Sequence, residues 1–384
     1  MTGRAGERRP TLLTEPWGQE ELQQRVGAAV AAGRLPRSLL LYGPEGVGKR
    51  ALALWTAGLL QCESEPGPCG ACQSCRMAAR LEHPDIHLHF PMPRPKRGSS
   101  RAKLRDAIEK QRHERLARLR EEPDAILDVD EPTGIYVAAV DNIRAQAARR
   151  PAMSRRAVFV VHDAEGMVPQ SSSPEAANAF LKLLEEPPDF AYILLTSSRP
   201  SALLPTIRSR TVLLRVPPVS TDQVMRYLID ELGAPAEEAR ALARRGNGSV
   251  GQVRRLWERG PRESETAADR LLAAALSGRP HRRYRAAGEY SARGARAGLQ
   301  PALEDLRARL RDILCDVSDA SAEVLDPAGI AALAGTPSLS GTGVLGALSA
   351  VDEALEGVSR NLNPQATVAV LLGEMSRALN EETA

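Results

Sequence analysis

Short, unbroken runs of apolar residues alternate with amphipathic stretches along the first 217 residues. The runs are LLLY (39–42), AVFVV (157–161), AYILLTSS (191–198) and TVLLRV (211–216). Their aliphatic and β-branched side chains follow one another without polar alternation, which predicts strands that are buried on both faces. Between them, EAANAFLKLLEE (175–186) repeats apolar residues at helical spacing until Pro187 and Pro188 stop it. Strands that alternate with helices predict a parallel α/β sheet.

From RVPPVS (215–220) onward the pattern is helical. Ser220 and Gln223 form a capping-box pattern, after which apolar residues recur at a spacing of four until Gly233. A second break, GPRES (260–264), precedes a long stretch rich in Ala, Leu and Arg. The breaks divide the chain into three predicted domains, which are an α/β domain at 1–217, a small helical domain at 218–262 and an all-α domain at 263–384.

Composition narrows the class of protein. The 384 residues carry a formal charge of +3, which is too small to predict nucleic-acid binding from net charge alone. No apolar run approaches the roughly 18 residues that span a bilayer. The N-terminal sequence MTGRAGERRP lacks the apolar core of a signal peptide. These features predict a cytoplasmic protein with no membrane partner.

The segment GPEGVGKR follows the first predicted strand and precedes a predicted helix. Its cofactor-binding candidates are Gly43, Gly46, Gly48 and Lys49. The glycines allow a tight turn whose amide groups point at phosphate oxygens, at the N-terminus of a helix whose dipole favours anions. The lysine would reach the outer phosphates of a nucleotide. The segment therefore predicts a phosphate-binding loop.

The residues that would hold Mg²⁺ depart from this motif. Arg50 stands where the motif has a Ser or Thr, and the run AVFVV is followed by His162 and Asp163 where two acids are expected. These changes leave the metal short of ligands, although metal stabilisation of the transferring phosphoryl group is worth several kcal/mol of barrier. The sequence predicts that ATP hydrolysis is lost by several orders of magnitude and that ATP binding is weak or absent.

Four of the five cysteines follow the helix that is predicted after the phosphate-binding loop, in a C-x6-C-x2-C-x2-C pattern. They are Cys62, Cys69, Cys72 and Cys75. Four thiolates at short spacing suit a tetrahedral structural zinc, with no open position for catalysis. A redox or disulfide role is the alternative, although a reducing compartment disfavours it. Nearby, His83 could supply a fifth metal ligand, but a turn or cap role is the favoured interpretation.

A charged insertion covers residues 91–131. Between 94 and 120 it holds eleven Lys or Arg against three acids, and an acidic stretch follows. Its weak apolar stripe predicts an exposed helix or a partly disordered loop. A solvated surface excursion is the favoured interpretation, and contact with DNA phosphates is the alternative.

Two arginines, Arg208 and Arg210, lie in LLPTIRSRT (203–211), between two predicted strands. They could form surface salt bridges, or one of them could be presented outward to the nucleotide of a neighbouring subunit. Their spacing alone favours the first interpretation.

Several stretches together resemble one known family. They are WGQE (17–20), RLPRSLLLYGPEGVGK (34–49), PCGACQSC (68–75), HPD (83–85), NAFLKLLEEPP (178–188), LLPTIRSR (203–210) and NLNPQATVAVLL (361–372). The chain resembles the delta-prime subunit of the bacterial DNA polymerase III clamp loader, within the AAA+ superfamily. The resemblance covers residues 15 to 217, thins through the next domain and returns near the C-terminus. The four-cysteine insertion and NAFLKLLEEPP make it specific.

The resemblance implies an α/β P-loop AAA+ domain that carries the zinc module (62–75), followed by a small helical lid and an all-α collar domain for oligomerisation. It implies a hetero-pentamer with gamma/tau and delta subunits. As part of the DNA polymerase III holoenzyme, a DNA-directed DNA polymerase assembly, the pentamer would load the β sliding clamp onto primed DNA during DNA replication.

The resemblance also implies roles for individual residues. Ser209 and Arg210 match the family's Ser-Arg-Cys motif, with Thr211 in place of the cysteine, and the motif's arginine acts as a finger on a neighbouring subunit's ATP. Gly251 stands where a motor subunit has an arginine that senses the γ-phosphate. A non-hydrolysing delta-prime-type subunit with a trans arginine finger is therefore expected. The alternatives are an active gamma/tau-type AAA+ motor ATPase and a zinc-ribbon nucleic-acid-binding module.

Overall fold

The chain folds as two compact units in the computed structural model. The model describes residues 16–65, 67–93, 100–121, 133–167, 174–259, 261–291, 295–320, 323–325, 330, 339–359 and 362–380. The first unit is formed by residues 1–127, 132–223 and 249–251, and the second by 128–131, 224–248 and 252–384. Among the described residues, no helix combines the length and the apolar character that crossing a membrane requires.

The first unit is an α/β structure. Its strands are β1 (Ser38–Tyr42), β2 (Ile86–His89), β3 (Met92–Pro93), β4 (Thr133–Gly134), β5 (Ala157–Val161), β6 (Ala191–Ser197) and β7 (Val212–Arg215). Its helices are α1 (Glu20–Ala31), α2 (Lys49–Gln61), α3 (Gln73–Ala79), α4 (Arg101–Glu121), α5 (Val137–Ala147), α6 (Glu175–Glu185) and α7 (Pro205–Arg208). Short 3-10 turns at Ala164–Met167 and Pro200–Ala202 follow β5 and β6.

Five parallel strands form the main sheet in the order β2-β5-β6-β1-β7. All residues of β5 and β6 are buried, because helices cover both faces of the sheet. β1 lies between β6 and β7, with Leu40 opposite Leu195 and Leu213. The predicted parallel α/β sheet is therefore confirmed, and the phosphate-loop segment leaves the end of an inner strand.

β7 departs from the prediction that TVLLRV forms a buried strand. Its pattern is mostly exposed, and the side chains of Val212 and Leu213 are 52% and 51% exposed. The physical reason is position, because β7 is an edge strand with one neighbour and little cover among the described residues. An apolar run specifies a strand but does not reveal where the strand lies in the sheet.

Helix α4 of the charged insertion packs one face against the first unit. Ile108, Leu116 and Leu119 are buried, and Arg112 is only 6% exposed. The Arg112 guanidinium forms an ion pair with Glu109 and donates a hydrogen bond to the Leu88 carbonyl of β2, at 3.2 Å. The helix alternative is confirmed for Arg101–Glu121, and one face of this helix is packed whereas most of its other residues are exposed. Residues 94–99 and 122–131 of the insertion lie outside the described part of the chain.

His87 of β2 lies in this packed region. Its ring stacks on Phe159, with 4.8 Å between the ring centroids. Burial, together with the charge of Arg112, lowers the pKa of His87 to about 4. In the unfolded chain the same ring titrates near the ordinary histidine pKa of about 6.5. The unfolded state therefore binds more protons than the folded state between these two values.

We predict that the contribution of His87 to the free energy of unfolding is constant above about pH 6.5 and falls as the pH drops toward 4, by at most about 3 kcal/mol. Denaturant titrations across this window measure the slope. His87→Gln should flatten it, and the exposed His113→Gln on α4 should leave it unchanged. Burial also lowers the pKa values of His89 and His162, so part of the slope remains. Equal slopes for wild type and His87→Gln would rule this explanation out.

The second unit is helical, as predicted. Its helices are α8 (Thr221–Asp230, whose first residues belong to the first unit), α9 (Ala236–Arg245), α10 (Val250–Arg259), α11 (Pro261–Leu276), α12 (Pro280–Gly288), α13 (Ala295–Val317), α14 (Gly341–Ser359) and α15 (Pro364–Asn380). The capping box is formed, because Ser220 Oγ accepts from the Gln223 amide and Gln223 Oε1 accepts from the Ser220 amide, each at 3.3 Å. The boundaries at 217 and 262 stay predictions.

The core of the second unit is aliphatic and small. Its members come from the five helices α11 to α15 and include Leu303, Leu306, Val351 and Leu372, all fully buried. Alanines fill much of the remaining contact surface between the helices. Small side chains allow close approach of helices, so this Ala- and Leu-rich composition is consistent with a bundle.

Candidate functional site

The phosphate-loop segment connects β1 to α2 and has the backbone of a tight turn. Gly46 and Gly48 adopt positive φ angles of 73° and 98°, a region that favours glycine. Gly43 lies so close to the carbonyl oxygen of Val216 that a Cβ atom at this position would collide with it. The loop therefore has the shape that its glycines predict, and Gly48 is the residue that precedes the first turn of α2.

Lys49 is turned into its own loop. Its Nζ atom donates hydrogen bonds to the carbonyl oxygens of Gly43, at 2.9 Å, and Pro44, at 2.6 Å, and to Ser198 Oγ, at 2.8 Å. An ammonium group has three protons, so all its donors are engaged. The residue is 4% exposed, and burial lowers the pKa of its amine. In this arrangement Lys49 stabilises the loop and has no donor left for a phosphate.

Residues 249–251, which belong to the first unit, close over the tip of the loop. The Gly251 amide donates to the Gly46 carbonyl at 2.8 Å, and Ser249 Oγ donates to the Glu45 carbonyl at 2.9 Å. A Cβ atom on Gly251 would lie 2.9 Å from Gly46 Cα, which is backbone and cannot move aside cheaply. The glycine at the predicted sensor position therefore permits this close contact.

The two residues after β5 form a small polar cluster with β6. His162 Nδ1 lies 2.8 Å from Thr196 Oγ1, which also accepts from the Asp163 amide at 3.2 Å. Burial lowers the pKa of His162 to about 3, so the ring is neutral at pH 7. The Nε2 atom of the same ring lies 3.4 Å from Asp163 Oδ2.

This cluster offers little to a divalent cation. Burial raises the pKa of Asp163 to about 6, and the nearby charge of Lys49 opposes this rise. The Arg50 side chain contributes positive charge to the same region. Magnesium prefers oxygen ligands in octahedral geometry, and an imidazole and a guanidinium supply none. The structure thus brings Arg50, His162 and Asp163 together beside the loop, and Asp163 is the one oxygen donor among these three side chains.

Arg210 follows α7 and lies near the end of α6. Its guanidinium donates to the Thr206 carbonyl at 3.1 Å and forms an ion pair with Glu185 at 2.9 Å. Ser209 Oγ also donates to the Thr206 carbonyl, at 3.1 Å. The Arg210 side chain is 36% exposed. The predicted finger residue is thus held at the surface by one carboxylate and one carbonyl, and it is accessible from outside the chain.

The four clustered cysteines converge in space. Cys62 ends α2, Cys72 precedes α3 and Cys75 lies within α3, with Cys69 in the intervening loop. Their sulfur atoms lie within 4.8 Å of one another. Tetrahedral zinc with Zn–S bonds of about 2.3 Å separates its sulfurs by about 3.8 Å, so the four thiols fit such an ion.

Backbone amides surround the sulfur atoms. Cys62 Sγ accepts from the amides of Ser64 and Cys69 at 3.4 Å. Cys72 donates to Cys69 Sγ at 3.4 Å, and Cys75 to Cys72 Sγ at 3.3 Å. These amide bonds lower the pKa of Cys69 to about 6, whereas burial raises the pKa of Cys62 and Cys75. Four thiolates this close together repel one another unless a cation lies between them, so this donor set suits a metal ion.

His83 is not one of the metal-site residues. Its Nδ1 accepts a hydrogen bond from the Asp85 amide at 3.1 Å, within the turn before β2. The Asp85 carboxylate accepts from the amides of Ala152, Met153 and Ser154, which anchors the turn before β5. The HPD segment therefore joins two turns, in agreement with the favoured interpretation.

Sequence reasoning did not identify three partners of the site. Ser198 engages Lys49, Ser249 engages the loop tip and Glu185 engages Arg210. Ser198 and Ser249 lie far along the chain from their partners. Glu185 is the last residue of α6, 25 positions before Arg210. The one sequence signal for such a partner was the pair of acids in LLEEPP (183–188), which contains Glu185.

The chain is similar in sequence to subunits of DNA polymerase III. A sequence profile of the family described as "DNA polymerase III, delta subunit" matches residues 18–220. The chain is 32% identical over 254 residues to the DNA polymerase III subunit delta' of Pseudomonas aeruginosa, which covers 65% of this chain and 62% of that protein. It is 26% identical to the Bacillus subtilis subunit delta', over 59% of this chain and 57% of that protein.

Gamma/tau subunits are similar as well. The chain is 27% identical over 274 residues to the DNA polymerase III subunit gamma/tau of Mycobacterium tuberculosis, which covers 70% of this chain and 38% of that protein. The chain thus spans less than two thirds of the length of these curated relatives. A solved DNA polymerase III gamma subunit-related protein of Thermotoga maritima covers 94% of this chain and all of its own, with 17% identity and a TM-score of 0.38.

Proposed function

Because the chain belongs to the DNA polymerase III delta subunit family, whose profile matches more than half of it, we propose that it is a non-hydrolysing, delta-prime-type subunit of the replicative clamp loader. The resemblance to delta-prime chains is confirmed by this membership and by the similar delta' subunits. In this role the chain assembles with gamma/tau and delta subunits in a hetero-pentamer, and it supports loading of the β sliding clamp onto primed DNA.

One observation carries the non-hydrolysing assignment. Arg50 and His162 occupy the positions where a magnesium ion would need oxygen donors, and all three protons of Lys49 are bound within the protein. Phosphoryl transfer in this fold class depends on a magnesium ion and on a lysine that contacts the phosphates. Without either, the phosphate loop acts as a structural element.

The chain's contribution to ATP hydrolysis is then made in another subunit. Arg210 is the candidate for a trans arginine finger, with Ser209 beside it in the matching motif. Its support is accessibility, because the guanidinium lies at the surface and its carboxylate partner, Glu185, is 46% exposed. Exposed ion pairs are weak, at about 0.2–1 kcal/mol, so the arginine can leave Glu185 at little cost.

A catalytically active gamma/tau-type motor is the second candidate, since gamma/tau subunits are among the similar proteins. Arg50, His162 and the engaged Lys49 weigh against this second candidate. A structural zinc in the cysteine cluster belongs to either assignment, and it is supported by the convergence of the four sulfur atoms. A zinc-ribbon module that binds nucleic acid is disfavoured, because the cysteine cluster is one small part of a larger α/β unit.

The decisive experiment is a pair of measurements on the purified full chain. We expect the lone chain to show no Mg²⁺-dependent ATP turnover above background, whereas a motor subunit assayed in parallel turns over. We expect it to co-purify with gamma/tau and delta subunits and to be required for DNA-stimulated turnover of the assembly. ATP turnover by the lone chain at about 1 s⁻¹, the lower end of typical enzyme turnover numbers, would reject the proposal.

A further inference from the structure

A short basic segment of the second unit stands apart from the site described above. Residues 277–288 contain four arginines and one histidine and no acid. Within it, Tyr284 is 74% exposed, which exceeds every other exposed large hydrophobic side chain in the described part of the chain. An aromatic ring left in solvent among cations has no packing explanation, because a buried position would stabilise the fold more.

The helix that carries this segment is firmly anchored on its other face. Ala286 and Ala287 of α12 are buried in the core of the second unit. Arg283 donates a hydrogen bond to Ser376 Oγ of α15 at 2.6 Å. The opposite face of α12 therefore presents His281, Arg282, Tyr284 and Arg285 together, and Arg279 precedes the helix. We call these five residues the α12 patch. Because α12 is anchored, the patch is formed before any ligand arrives.

The charges of the α12 patch are not neutralised within the described structure. Among the described residues, the guanidinium groups of Arg279, Arg282 and Arg285 make no hydrogen bond or ion pair. The next acid along the chain, Glu289, is engaged by Arg270 at 3.4 Å. On helix α4, by contrast, some cations pair with acids of the same helix, as Lys110 does with Glu114 at 4.0 Å.

We propose that the α12 patch binds single-stranded nucleic acid, with its arginines on successive phosphates and a base stacked on Tyr284. Guanidinium groups bind phosphate oxygens without regard to sequence, and an exposed aromatic ring accepts any base because each base has a π-face. An acidic protein segment would satisfy the cations, but it would leave the tyrosine without a role. The combination therefore favours nucleic acid over an acidic polypeptide.

The patch predicts a specific dependence on salt. Three arginines that each neutralise one phosphate give a slope of log affinity against log salt near −2 for a single strand, at about 0.7 per contact. Loss of a stacked base weakens binding about tenfold and leaves this slope unchanged. These two signatures separate the arginines from the tyrosine.

The test is fluorescence anisotropy of a labelled oligodeoxythymidine with the full chain at several salt concentrations. Tyr284→Ala should weaken binding about tenfold at constant slope. Arg282→Glu combined with Arg285→Glu should make the slope shallower than about −1. All three side chains are exposed, so these variants should fold normally. The matched control replaces two exposed lysines of α4, Lys103→Glu with Lys110→Glu, and should keep both affinity and slope.

Three outcomes would overturn the proposal. They are absence of binding by the wild-type chain, equal binding by Tyr284→Ala, and an equal loss in the α4 control, which would indicate a response to net charge only. Competition by polyglutamate together with unchanged binding by Tyr284→Ala would identify an acidic protein contact instead. The inference does not rest on the proposed function, because the Arg210→Ala variant should bind the oligonucleotide like the wild type.

Discussion

Replacing Arg210 with Ala is expected to slow ATP hydrolysis in the neighbouring subunit's site about 10³-fold or more, the range that arginine fingers contribute in trans. The physical reason is that a guanidinium stabilises the charge that develops on the transferring phosphoryl group. The chain itself should fold as before, because the side chain is partly exposed and its ion pair with Glu185 is a surface pair. Assembly with the other subunits should also persist.

The sharpest measurement uses an assembly in which only the subunit that faces Arg210 can hydrolyse ATP, in single-turnover format with primed DNA. Arg210→Lys should recover part of the loss, since it keeps the charge but lacks the two-pronged geometry. The control is Arg215→Ala, which removes an exposed arginine from the nearby strand β7 and should change nothing. Normal hydrolysis by the Arg210→Ala assembly would remove the finger assignment.

Replacing Cys72 with Ser is expected to release zinc and to destabilise the first unit. Zinc binding contributes about 10–16 kcal/mol in isolated zinc fingers, so loss of even a third of that would exceed most single substitutions. The expected fall in unfolding free energy is at least about 3 kcal/mol. Three of the four sulfurs are tied to the backbone of the loop between α2 and α3, so the disruption should spread through that loop.

Metal content by elemental analysis and thermal melting provide the two readouts. Cys315→Ser is the matched control, because Cys315 lies on α13, outside the cluster, and should keep both the metal and the melting temperature. A chelator should lower the melting temperature of the wild type and of Cys315→Ser, but it should leave Cys72→Ser unaffected. A Cys72→Ser protein with full metal content and an intact melting curve would contradict a structural zinc.

The apolar runs predicted the inner strands of the sheet well and its edge strands poorly. AVFVV and AYILLTS have partners on both sides, so their composition reports directly on their surroundings. The edge strand β2, with the sequence IHLH, was missed because two histidines interrupt its apolar pattern. Those histidines are buried beneath α4, a contact between segments far apart in the sequence. Edge strands take their character from whatever covers them, which local pattern does not encode.

The candidate site also has parts that the sequence could predict and parts that it could not. The loop glycines, Lys49 and the cysteines follow short motifs, so their placement could be predicted. The partners of Lys49 and Arg210 could not, because they depend on how β6 and α6 lie beside the loop and α7. A motif specifies which side chains meet a ligand, whereas the occupancy of their hydrogen-bond donors is decided by tertiary structure. The proposal that this loop is structural depends on that occupancy at Lys49.

In the proposed non-hydrolysing role, the contact between Gly251 and Gly46 bears on what it would take to introduce hydrolysis into this chain. A hydroxyl at position 50 and a carboxylate at position 162 take two substitutions, yet neither would move the segment that lies across the loop tip. A sensing arginine at 251 would place its Cβ 2.9 Å from a backbone carbon. Substitutions at the loop alone would therefore not suffice, because the main chain of residues 249–251 would have to shift as well.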